Sequence, residues 1–156
     1  MLCKAIVNAQ EIDIPKNNDG FYYMASPYSN QAPHIEVWRY DQNVEVLSKL
    51  TKMGYIIVSP IVHSHPMAHR HEMPKDFNYW QRVDKVLMSK ASGLIVLMLD
   101  GWKESKGVMA EIKYMEERGL PVYFLDYYHN ELQYYNGEEI QTNVVQLEQK
   151  LEVEAK

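Results

Sequence analysis

The feature that most constrains this chain is the alternation of short apolar runs with segments that repeat every 3.6 residues. That alternation is the pattern of βα units, in which strands buried on both faces of a parallel sheet are joined by amphipathic helices. Phe21–Ala25, Tyr55–Ser59, Gly93–Leu99 and Pro121–Leu125 read as four strands. Between them, Val37, Tyr40, Val44, Leu47 and Thr51 mark one helix, closed by Gly54 as its C-cap. Trp80, Val83, Leu87 and Ala91 mark a second, and Lys106–Arg118 a third with Val108, Ile112 and Met115 inward. Pro60 to about Asn78 reads as a long polar loop, Met1–Ile14 as an added edge strand, and Val144, Leu147 and Leu151 as a last helix. The expected fold is α/β, a single flavodoxin/Rossmann-like domain with a mainly parallel sheet of about five strands flanked by helices. Its core covers about residues 21–126, residues 1–20 add the edge strand, and 129–156 form a C-terminal extension whose acidic part is expected to be solvated.

The 156 residues suit one domain, and 46% apolar content supplies a core. A net charge of −5 excludes an electrostatic footprint for duplex nucleic acid or an anionic membrane. The single cysteine, Cys3, excludes an internal disulfide framework and suits a reducing compartment. The longest apolar run is far below the roughly 20 residues that span a bilayer. The expectation is a cytoplasmic protein.

In open α/β sheets ligands bind beyond the carboxyl ends of the strands. One of those ends, Asp100 to Glu111, reads as a strand end, a turn and a helix start. Ser105 is placed to cap the helix, the N–H groups after it can attract an anion, and Gly107 allows close approach to the backbone. Glu111 shares the helix face that turns inward, and Asp84 repeats the anomaly on the preceding helix. An inward carboxylate is costly unless it is paired or used. Salt bridges to neighbouring Lys or Arg are the structural alternative for both. Two inward carboxylates that converge on one cleft are the arrangement glycosidic cleavage needs.

Tyr22-Tyr23-Met24-Ala25-Ser26-Pro27-Tyr28-Ser29, Arg39, Gly54, Ser59-Pro60, Asp84 and Ser105-x-Gly107-Val108-x-x-Glu111 form an ordered series. It resembles the nucleoside 2-deoxyribosyltransferase superfamily. The likeness extends to the 2′-deoxynucleoside 5′-phosphate N-hydrolases and to a branch of bacterial and phage proteins with Gly101-Trp102-x-x-Ser105 and His63-Ser64-His65-Pro66 signatures. The resemblance implies cleavage or transfer at the N-glycosidic bond of a nucleoside or nucleoside 5′-monophosphate, without metal or cofactor, in a homodimer or higher oligomer. It further implies Glu111 and Asp84 as catalytic residues, Ser105 on a 5′-phosphate, and Tyr22 at the base-sugar end. Ser26, Gly107, Tyr28, Trp102, His63 and His65 are the other expected ligand contacts. Ser92 and Tyr28 depart from the pattern, standing where an Asp and a phosphate-binding Arg are usual.

Two other readings stay open. A nucleotide-binding module could keep this fold without turnover. His63 and His65, with Asp76 eleven residues on, resemble the zinc ligands of JAMM metalloproteases, though Met73 replaces the serine of that motif.

Overall fold

The computed structural model describes residues 12, 14–17, 19–128 and 131–135. Nine elements follow one another: β1 (Tyr22–Ala25), α1 (Pro33–Lys52), β2 (Ile57–Val58), α2 (Pro60–Arg70), α3 (Phe77–Lys90), β3 (Gly93–Leu97), α4 (Lys106–Glu117), β4 (Val122–Tyr128) and β5 (Glu131–Tyr135). The sheet order is β2-β1-β3-β4-β5. The first four strands are parallel, with Tyr22 opposite Ile57 and Gly93, and β5 returns antiparallel along β4. The α/β class and the mainly parallel sheet of five strands are thus as the βα pattern implies.

Strand alternation divides the core into two layers. Tyr22, Met24, Ile95 and Leu97 face α1 through Val46 and Leu50. Tyr23, Ala25, Leu94 and Val96 face α3 and α4 through Met88, Val108 and Met115. All five residues of β3 are buried, as befits the central strand. Gly54 follows α1 at φ +96°, a conformation that glycine adopts without a Cβ penalty, so the predicted cap stands.

Three expectations are corrected. Pro60 to Asn78 is no loop: Ser59 accepts from Val62 N and caps α2, Pro60 suits its first turn, and α3 begins at Phe77. The inward stripe of α2 is Pro60, Ile61, His65 and Ala68, and a histidine in an apolar stripe defeats hydropathy reading. On α1 the phase is displaced, because the buried residues are Glu36, Arg39, Asn43, Val46 and Leu50, whereas Val37 is 39% exposed. Its N-terminal half packs by hydrogen bonds rather than by apolar contact. The acidic extension is not wholly solvated, since Glu131–Tyr135 completes the sheet. Most of Met1–Ile14 and all of the Val144–Leu151 helix lie outside the described residues; Ile12 and Ile14 are buried in the α1 layer.

Asn43, fully buried, donates to Ser26 Oγ at 2.9 Å and to Arg39 O at 2.8 Å, tying the end of β1 to α1. Asn43→Ala leaves Ser26 without that donor and opens a small void, so it should lower the unfolding free energy by about 2–3 kcal/mol. Urea denaturation with an unchanged slope is the check.

Candidate functional site

The chain leaves β1, crosses to β2 on one side, and comes back to β3 on the other. The carboxyl ends of β1 and β3 therefore diverge and leave a crevice at this switch point. A cleft of about 1270 Å³ occupies it, bounded by the loop after β1, the turn before α4, and residues of α1, α2 and α3.

Glu111 lies at its floor. The residue is 8% exposed, and the Tyr23 hydroxyl donates to its Oε1 at 2.8 Å. Burial pushes the carboxyl up to about 8, the Tyr23 hydrogen bond opposes this, and the charge of Asp84 adds to it. Asp84, half-buried on α3, also lines the cleft, and burial pushes it up to about 6. Among the described residues neither carboxylate forms an ion pair. The salt-bridge alternative fails for both, with Arg82 lying instead over the Tyr79 ring. Burial and the two carboxylates push the Tyr23 phenol far up, so it is always a donor to Glu111.

Ser105, Ser26, Gly107, Tyr28 and His65 line the same cleft. Ser105 Oγ accepts from Val108 N at 3.3 Å and caps α4, as its position in the sequence implies. Its helix N-terminus opens on the cleft. A Cβ at Gly107 would meet the Phe77 ring at 3.6 Å, ordinary contact, so this glycine is not forced by crowding.

Three expected contacts are elsewhere. Tyr22 points to the opposite face of β1 from Tyr23, donates to Pro15 O and packs edge-on against Tyr123 at 5.8 Å. The adjacent tyrosine occupies the site because strand parity gives the α4 face to Tyr23. Trp102, partly buried, packs on Phe124 at 5.7 Å against the edge of the core and is not part of the cleft lining. His63 is exposed and outside the cleft lining. Trp38, Trp80 and Phe77 supply the aromatic wall, Trp80 being fixed by its Nε1 donating to Pro74 O at 2.7 Å. Ser92, at the departure from the resemblance, accepts from Asn17 and donates to Phe21 O, a structural post beneath β1.

The zinc-ligand set that His63, His65 and Asp76 resemble in sequence is not assembled. Asp76 Oδ1 caps α3 by accepting from Tyr79 N at 3.0 Å, and no three His, Cys, Asp or Glu gather as a metal set among the described residues. No helix among these residues is long and apolar enough to cross a membrane.

Arg39 holds the site's two loops together. Its Nη1 donates to Tyr28 O at 3.2 Å and Ser29 O at 2.9 Å, and its Nη2 to Asp100 O at 2.9 Å. Its Nε is buried without a partner. Gly101, at φ +90°, lies so close that a Cβ would come within 2.8 Å of Nη2, so here only glycine fits.

Both carboxyls hold protons more tightly folded than unfolded. Between the ordinary value of 4.5 and about 8 for Glu111, the folded chain therefore binds more protons, and stability falls as pH rises. Glu111→Gln retains an acceptor for Tyr23 and removes the ionisation. It should raise the unfolding free energy at pH 8 by roughly 2–4 kcal/mol and have little effect at pH 4, flattening the pH dependence. Denaturant unfolding at the two pH values checks this; an unchanged slope would assign the buried charge elsewhere.

Comparison with known proteins finds that residues 20–127 match a family model described as "Domain of unknown function (DUF1937)". No curated protein matches the chain. The matched stretch nearly coincides with the ordered motif series from Tyr22 to Glu111 and the strand that follows it.

Proposed function

The chain belongs to the DUF1937 family, and on that premise we propose that it cleaves or exchanges the N-glycosidic bond of a nucleoside or nucleoside 5′-monophosphate. The observation that carries this reading is the pair of unpaired inward carboxylates, Glu111 and Asp84, at the floor of one cleft. Burying two such groups without cations is costly, and the cost is offset where the charge meets a cationic transition state. The resemblance in the ordered motif series supports the same chemistry.

At neutral pH the pair retains one proton, mainly on Glu111. As the C1′–N bond lengthens, its electron pair leaves with the base, and the proton of the pair passes to the departing nitrogen. The carboxylate so formed faces positive charge spread over C1′ and the ring oxygen. Tyr23 holds Glu111 in place by donating to Oε1. Water or a second base then forms the new bond to C1′ and returns a proton to the pair. The aromatic wall of Trp38, Phe77 and Trp80 offers π faces for the base. No step calls on a metal or cofactor. Trp38 and Val37, exposed side by side in sequence on α1, favour a homodimer or higher oligomer, and a cytoplasmic setting belongs to this reading.

Incubation with a panel of nucleosides and 5′-monophosphates should release free base, resolved by chromatography. Glu111→Gln should fold and bind yet lose turnover by about 10²–10⁴-fold, and Asp84→Asn by a smaller factor. Because the pair must hold one proton, kcat/KM should be bell-shaped, falling below about pH 6 as both carboxyls protonate and above about pH 8 as both ionise. Near-normal turnover in Glu111→Gln refutes the assignment.

A further inference from the structure

The cleft lining also carries a second polar arrangement that the glycosidic step does not use. The Tyr28 hydroxyl is hydrogen-bonded to His65 Nδ1, and both rings line the cleft. His65 is 7% exposed and clamped on three sides. Tyr40 stacks on it at 4.2 Å and 16°, Tyr28 meets it edge-on at 5.5 Å, and His69 tilts against it at 4.4 Å. The imidazole therefore has little freedom to turn away from Tyr28.

Which partner donates follows from the surroundings. The charged and titratable groups acting on His65 are His69 on α2, Lys75 before α3 and Asp41 on α1. Burial, His69 and Lys75 lower its pKa, outweighing Asp41, so the imidazole is neutral. Burial and Glu36 push the Tyr28 phenol up to about 12, so it keeps its proton. Neutrality alone allows either ring nitrogen to carry the proton, but a phenol O–H is the stronger donor and an imidazole nitrogen the stronger acceptor, so Tyr28 donates to Nδ1 and His65 is the Nε2–H tautomer. The one proton of Tyr28 is thereby committed to His65, and its oxygen can offer the cleft only lone pairs.

We infer that His65 is a positioning residue that locks Tyr28 as a hydrogen-bond acceptor, so that the cleft takes an uncharged glycoside, through a sugar hydroxyl, in preference to its phosphate monoester. The inference rests on the glycosidic reading and narrows its substrate class. A hydroxyl can donate to Tyr28, whereas a phosphate dianion has acceptors only and would oppose lone pairs to lone pairs. The cations of the cleft do not offset this. Arg39 spends its Nη groups on three backbone carbonyls, and Lys75 is 3.7 Å from Glu36. Lys106 and the α4 N-terminus remain, but Ser105 already caps that terminus, and Asp100 and Glu104 line the same region. This reverses what the Ser105 motif alone suggests.

The test uses calorimetric titration of the intact protein with the four 2′-deoxynucleosides and with their 5′-monophosphates. The parent should bind its preferred nucleoside at least about tenfold more tightly than the matching monophosphate. His65→Phe keeps a ring against Tyr40 and frees the Tyr28 proton to donate, so the ratio should shift at least about fivefold toward the monophosphate. A purely structural role would weaken both ligands alike, and that result overturns the inference. In the ligand-free protein, nitrogen NMR should find His65 neutral with Nδ1 unprotonated at pH 7; an Nδ1–H tautomer or an imidazolium overturns it too. Equal or tighter binding of the monophosphate, with base released, refutes the inference and leaves the glycosidic reading standing. If neither ligand class binds or releases base, both readings fall.

Discussion

The guanidinium of Arg39 is the constraint on which the cleft depends. It is buried beneath the two loops that bound the switch point, and it donates to backbone carbonyls of both, Tyr28 and Ser29 on one side and Asp100 on the other. A planar cation with five donors can bridge two peptide segments in a way that a lysine cannot. Burying it is tolerable because the dipoles of three carbonyls and the charges of Glu36 and Asp100 surround it. Gly101 records the same constraint from the other side, since any side chain there would collide with the guanidinium. The polar half of α1 thus acts as a clamp, and Asn43 extends it to the end of β1.

With the loops so held, the floor of the cleft can carry an arrangement that folding alone would not select. Glu111 and Asp84 both sit desolvated, the charge of Asp84 acts on Glu111, and the Tyr23 hydroxyl favours the ionised form of Glu111 directly. The same burial that weakens the folded state above neutral pH keeps a proton on the Glu111 carboxyl, which the proposed reaction gives to the leaving base. Stability and the proposed chemistry therefore draw on one feature with opposite signs.

The cleft also has two differently prepared walls. Near Glu111 a phenol donates to a carboxyl, and near His65 a phenol is hydrogen-bonded to an imidazole nitrogen. In the first case the tyrosine holds the Glu111 carboxyl in place, and in the second the packed His65 ring holds the Tyr28 hydroxyl. Tyr23 and Tyr28 are five residues apart on one strand and its loop, so the two hydrogen bonds share a rigid support.

The sequence by itself determined the layer architecture, because short continuous apolar runs at Tyr22–Ala25 and Gly93–Leu97 and a 3.6-residue period at Lys106–Glu117 report burial directly. It also determined that Glu111 and Asp84 turn inward, since helical phase places them between apolar neighbours, and that Ser105 and Gly54 cap helices. It did not disclose α2, whose inward stripe contains Pro60 and His65, nor the polar face of α1, whose inward residues Arg39 and Asn43 look like solvent-facing ones. Both escape because hydrogen-bonded burial leaves no mark on a hydrophobicity pattern. Only the tertiary structure decided that Tyr23 rather than Tyr22 reaches Glu111, that Trp102 serves the core while Trp38 and Trp80 face the cleft, and that His65 but not His63 belongs to the site. These are choices between near neighbours with the same chemistry, and they turn on which side of a strand or helix another element packs, a contact between residues far apart in the chain.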